Sequence, residues 1–144
     1  VKYSRSRNYV DNARAAIIEM QRQVGDLVVD DEGIAQKGLI VRHLILPNGI
    51  ASSEASLNWL VKEVSLRVTV SVMSQYYPAN RAYKYKELKR KINPEEYAEV
   101  EKLVEKLGIE NGWVQFLESA DNYQPDFTNE EPFAEGTRRK RRKR

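Results

Sequence analysis

Gly38-Leu39-Ile40-Val41-Arg42-His43-Leu44-Ile45-Leu46-Pro47 is the stretch on which the fold turns. Six of the eight residues from Leu39 to Leu46 are aliphatic, and the run is almost unbroken. A strand that alternates apolar and polar residues has one dry face. A continuous run like this one predicts a strand buried on both faces, as in a parallel sheet covered by helices. Pro47-Asn48-Gly49 ends it with turn chemistry. Arg42 is the anomaly. A charge inside such a strand needs a partner, either a protein carboxylate or the carboxylate or phosphate of a ligand. The competing readings are a buried ion pair and a residue at a strand edge. His43 is adjacent, so its side chain points to the opposite face. It reads as a packed histidine with one hydrogen bond.

Helical periods flank this strand. Tyr9, Ala13, Ala16, Ile17, Met20 and Val24 recur at steps of three and four, which predicts a helix over 8–23 with one apolar stripe. Asn8 is its candidate cap and Gly25 its stop. Residues 27–37 place Asp30-Asp31-Glu32-Gly33 between apolar pairs, the pattern of a small hairpin. Ser52-Ser53-Glu54 reads as the cap of a helix over 52–64, and 68–73 as a second strand. Asn93-Pro94-Glu95-Glu96 supplies a cap, a first-turn proline and two acids at the positive helix end. That helix runs to Leu107 and stops at Gly108. Trp113 to Phe116 reads as a short third strand. Strands alternating with helices give right-handed crossovers and a parallel sheet. Three strands leave a small sheet with open edges, which points to a piece of something larger.

Composition removes several chemistries. The 144 residues contain no cysteine. This excludes disulfides, a cysteine-held zinc, a thiol nucleophile and an iron–sulfur cluster held by this chain alone. A single histidine excludes a His-only metal site. No apolar run approaches the ~18 residues of a membrane span, and no secretory signal is visible. The expected compartment is the cytosol. The formal charge of +3 is misleading, because Arg138 to Arg144 are all Arg or Lys. Without those seven, 17 basic groups face 21 acidic ones, a net of −4. Residues 137–144 therefore read as a disordered basic tail, and 119–136 as a polar extension of a domain spanning 1–118.

In an α/β fold, ligands gather at the C-terminal ends of the strands. Arg42 and His43, then Ser74 to Tyr77, then Glu118 and Ser119 lie near the three ends. Tyr76, Tyr77, Tyr83 and Tyr85 form either an aromatic surface for a peptide or nucleotide, or a loop packed over the barrel mouth. The sequence contains no glycine-rich phosphate loop and no nucleophile elbow.

Gly38 to Pro47, with Gly49 just beyond, resembles the G-L-x-V-R-H-L-x-L-P-G segment of radical S-adenosylmethionine proteins related to the pyruvate formate-lyase activating enzyme. The stretches EMQRQVGDLVVDDEGIAQKG, VSVMSQYYPA, INPEEYAEVEKLVEKLG and NYQPDFTNEEPF look like the same subgroup. The likeness covers about residues 1–135. It implies an α/β fold, the C-terminal half of a partial (β/α)6 TIM-like barrel with parallel strands. The strands at 39–46 and 68–73 would be the fifth and sixth, and the helix at 8–23 the fourth. The family's CxxxCxxC would lie on a missing N-terminal half, the implied first partner. Val1-Lys2-Tyr3 resembles the end of the family's D-x-K-Y segment.

The resemblance assigns S-adenosylmethionine to Lys2 and Arg42, with Gln75 and Tyr76 near the nucleoside or the cation site. Asn48, between Pro47 and Gly49, departs from the family's Pro-Gly, and the sixth-strand end differs from that of the better-studied activating enzymes. The implied activity belongs to the full-length protein. There a 4Fe–4S cluster reduces S-adenosylmethionine to a 5′-deoxyadenosyl radical that abstracts hydrogen, in the activating enzymes from a glycyl-radical enzyme. No catalytic residue falls on this chain, which alone is expected to be inactive. The competing function is a small α/β binding module whose basic tail contacts nucleic acid or an acidic partner.

Overall fold

The computed structural model describes Tyr3 and residues 6–117. Its centre is a three-stranded sheet of β3 (Ile40–Leu44), β4 (Thr69–Met73) and β5 (Gly112–Val114), in that order and all parallel. Before it come α1 (Tyr9–Val24) and a two-stranded antiparallel hairpin, β1 (Val28–Val29) and β2 (Ala35–Lys37). The helix α2 (Ser53–Trp59) joins β3 to β4, and α3 (Pro94–Lys106) precedes β5. The α/β class and the parallel sheet expected from the sequence are present. No closed barrel forms among the described residues.

Register decides which side chains share a face. Arg42 lies opposite Ser71 and Ser71 opposite Trp113, so these three form one row across the sheet. Val41, Ile45, Val70, Val72 and Val114 project to the other face. There they pack with Leu57 and Leu60 after the β3 turn and with Val100 of α3, in one apolar cluster. The helices thus cover one face only. The expectation of a strand buried on both faces does not hold for β3. Its Ile40 and Leu44 are half-buried and Arg42 is exposed, because no helical layer lies over their side.

α1 keeps its predicted stripe but buries none of it. Tyr9 is 65% exposed, and Met20 and Val24 are exposed too. Only Ile17 reaches the core cluster, beside an Arg14 guanidinium that sits 5.0 Å over the Trp59 ring. The helix starts read from Asn8 and Ser52 are right in place and wrong in mechanism. Both residues adopt left-handed φ values (57° and 49°) and neither caps with its side chain. Asn93 does cap. Its Oδ1 accepts from the Glu96 N–H at 2.8 Å, and the Glu96 carboxylate accepts from the Asn93 N–H at 3.0 Å. After α2 the backbone widens into one π turn over Leu60–Val64, closed by Ser65 N–H on the Leu60 carbonyl at 3.2 Å.

The hairpin tip is organised by Asp30, whose Oδ1 accepts from Glu32 N–H at 3.1 Å and Ile34 N–H at 2.8 Å. Among the described residues no helix is long and apolar enough to cross a membrane. The extension at 119–136 and the tail at 137–144 lie outside the described residues, as does the third strand end at Glu118 and Ser119.

Candidate functional site

The helix-free face of the sheet carries the candidate site. Its central row is Arg42, Ser71 and Trp113. Ser71 is buried, while Trp113 is 49% exposed. Arg42 has neither an ion pair nor a side-chain hydrogen bond among the described residues. The strand-edge reading of Arg42 therefore replaces the buried-pair reading, since β3 borders the sheet and nothing covers the side chain. Its five N–H donors remain available for a planar anion.

His43 points the other way. Its Nε2 lies 2.9 Å from Ser53 Oγ, and burial pushes the imidazole below its ordinary value. This is the packed histidine with one hydrogen bond that the sequence predicts. The hydroxyl it meets is on the first residue of α2, next to the Ser52 cap position.

Gln75 and Tyr76 follow β4. Gln75 is half-buried, and among the described residues its Nε2 meets only the Met73 sulfur, at 3.8 Å. Tyr76 donates its hydroxyl to the Leu88 carbonyl at 2.8 Å, and burial, then Tyr83, raises its phenol pKa. Tyr76 thus ties down the loop that follows it. Arg42 pairs with Ser71, four residues before Gln75, so the two stand about 13 Å apart along the strand direction. A ligand touching both must extend along the sheet. Lys2 lies outside the described residues.

Sequence reading missed a clasp at the β3 exit. Arg90 grips the Glu96 carboxylate with both terminal nitrogens, at 2.8 and 2.7 Å. The Asn48 N–H donates to the same carboxylate at 2.6 Å, and Arg90 donates to Asn48 Oδ1 at 3.1 Å. Asn48 Nδ2 then donates to the Glu87 carbonyl at 2.8 Å. Asn48 can do this because its backbone is left-handed, at φ 59°. Asn48 is thus the joint between the β3 turn, α3 and the tyrosine-rich loop. A groove of about 580 Å³ runs beside it, between the start of α2 and α3. That groove lies on the helical side, away from Arg42.

The clasp makes stability acid-sensitive. The Arg90 guanidinium, helped by the Asn48 and Asn93 N–H groups against burial, holds the Glu96 carboxyl at about 2 rather than 4.5. A lowered folded pKa stabilises the fold above the ordinary value and loses that contribution as pH falls from 4.5 towards 2. Glu96→Gln is expected to cost about 1–2 kcal/mol at neutral pH. Urea unfolding at descending pH checks this: the gap between the two proteins should narrow below pH 4.5. A gap that stays constant down to pH 2 would remove the carboxylate as its cause.

Among the described residues no three His, Cys, Asp or Glu side chains are grouped to hold a metal ion. The sequence matches no protein-family model, no curated protein and no solved structure.

Proposed function

We propose that this chain is the C-terminal half of a cytosolic radical S-adenosylmethionine protein of the activating-enzyme type. Its sheet would be part of a partial (β/α)6 barrel, with the open face as one wall of the cofactor and substrate site. The observation carrying this reading is that face. Three parallel strands stand in sequence order, with helices on one side and, on the other, Arg42 of the edge strand with no partner among the described residues. A barrel wall is built this way, with helices outside and site-lining residues inside.

The donor chemistry fits S-adenosylmethionine in part. Its methionine end carries a carboxylate, which a free guanidinium takes in a two-point grip. Lys2 shares that role in the resemblance. Gln75 offers an amide further along the wall, and Tyr76 supports it by fixing the loop. The cluster does not fit this chain, which has no thiolate to hold it. A 4Fe–4S cluster would belong to the N-terminal half, the first partner. When bound, the cofactor supplies the hydrogen-abstracting chemistry. This chain would hold its carboxylate, orient it and keep water from it. A glycyl-radical enzyme or a peptide would be the substrate partner.

The gene upstream of the Val1 codon tests the reading first, with an in-frame CxxxCxxC expected. Calorimetric titration of S-adenosylmethionine into that longer protein is the second step. Arg42→Ala should lose about tenfold to a hundredfold in affinity, the range for a lost charged hydrogen-bonding partner. His43→Ala should lose much less, since His43 faces the helices. Equal losses, or none at Arg42, reject the assignment, and an upstream frame without cysteines rejects the activity.

A further inference from the structure

Positive charge is concentrated in a second place besides the tail. Residues 81–91 carry six basic side chains and one acidic one. Setting aside this stretch and 138–144 leaves 11 basic groups against 20 acidic ones, a net of −9. The stretch is a cationic island on an acidic body.

It is also a built surface. Leu88 and Ile92 are buried and anchor it from below. Tyr76 holds the Leu88 carbonyl, Asn48 the Glu87 carbonyl, and Glu96 the Arg90 guanidinium. Tyr3 donates its hydroxyl to the Glu87 carboxylate at 2.7 Å, which engages the acid of the stretch. Arg81, Lys84, Lys86 and Lys89 remain exposed, with neither an ion pair nor a side-chain hydrogen bond among the described residues. Tyr85, between two of them, is extended (φ −110°, ψ 117°) and separates the 3-10 turn that ends at Lys84 from the turn that carries Lys86.

The geometry points to a docking surface for a short acidic segment of a partner polypeptide, held by Arg81, Lys84, Lys86 and Lys89. Ammonium groups are compact point charges that accept carboxylates without demanding a fixed geometry. Two observations favour a peptide over nucleic acid. Single strands need free aromatic faces to stack on. Here Tyr85 meets the Tyr3 ring edge-on at 5.1 Å and Lys91 sits 5.4 Å over the Tyr77 ring, so Tyr83, at 56% exposed, is not one of a row of open rings. The second observation is the acidic body. A long polyanion leaving the island would run over it, well within reach of like charges at a screening length of about 8 Å. A few Asp or Glu residues stay on the island. The surface does not depend on what the open sheet face binds.

Fluorescence anisotropy with a fluorescein-labelled hexaglutamate peptide tests the proposal on the full chain. Because the tail is also basic, the island at 81–91 is compared in chains with and without serine at all seven positions 138–144. The tail replacement should leave measurable binding. Adding Arg81→Ser, Lys84→Ser, Lys86→Ser and Lys89→Ser should weaken it about tenfold or more. Arg in place of the three lysines should restore it, which separates lost charge from lost fold. Unchanged affinity in the quadruple variant, or failure of the arginine version, overturns the proposal. So does tighter binding of a deoxythymidine decamer that depends on these four residues, which would make the surface a nucleic-acid site.

Discussion

Gly112→Ala should destabilise the protein by about 3 kcal/mol or more, as a clash with the neighbouring strand adds to backbone strain. Gly112 begins β5 at φ +136°, a conformation that a Cβ resists. The added carbon would fall 2.0 Å from the Val70 carbonyl oxygen, inside the β4 backbone. No rotamer relieves this, since both partners are main chain. The edge strand would have to move off β4, breaking the Val70 N–H bond to the Asn111 carbonyl and the Gln115 N–H bond to the Val72 carbonyl. Trp113 would leave the row it shares with Ser71 and Arg42. Gly33→Ala is the control. Its φ is +79°, with nothing within 4 Å of the new carbon, so it carries the backbone cost of about 1 kcal/mol alone. Urea unfolding of both variants measures the difference. Equal losses would mean that β5 yields without effort and that the close approach is unimportant.

The sequence signals that worked are those whose causes are local. Asn93, Pro94 and Glu96 fix the start of α3 within four residues, and the capping box forms as their chemistry requires. The hairpin at 28–37 follows from an aspartate that bonds its own next turn. The aliphatic run of β3 locates a strand equally well, but it cannot show whether a layer exists on each side. That depends on what the rest of the polypeptide brings over it, and Ile40, Arg42 and Leu44 receive no helix. The α1 stripe fails for the same reason. Periodicity makes Tyr9, Met20 and Val24 a face without supplying an opposite one.

The site divides along the same line. A charge inside an aliphatic run singles out Arg42 from local sequence. The clasp is invisible there, because Asn48 meets Glu96 across 48 positions and Arg90 across 42. Ser52 shows the limit of capping propensity: it stands at the start of α2, yet at φ 49° it makes no side-chain cap bond. The hydroxyl beside it, on Ser53, meets a histidine ten residues away, a contact that local sequence does not reveal.

Leu57→Ala is expected to cost about 2–5 kcal/mol, the range for opening a cavity at a buried leucine. Leu57 is 0% exposed. It belongs to the cluster that joins Val70 and Val72 of β4 to Val100 of α3. The α2 segment has only seven α-helical residues before its π turn, too few to hold a helix in water without tertiary support. Its apolar face is therefore what fixes it, and through Ser53 it also fixes His43 on β3. Losing Leu57 should loosen α2 first, so amide exchange should rise across Ser53–Trp59 before it rises in β4. Ile18→Ala on the uncovered side of α1 should change stability by no more than about 0.5 kcal/mol, because Ile18 is already 47% exposed. The contrast bears on the open face. A sheet dried by helices on one side only must concentrate its stability there and leave Arg42 free on the other. If Leu57→Ala costs no more than Ile18→Ala, the helical side is not what holds the sheet, and the assignment of the Arg42 face as the exposed working surface loses its basis.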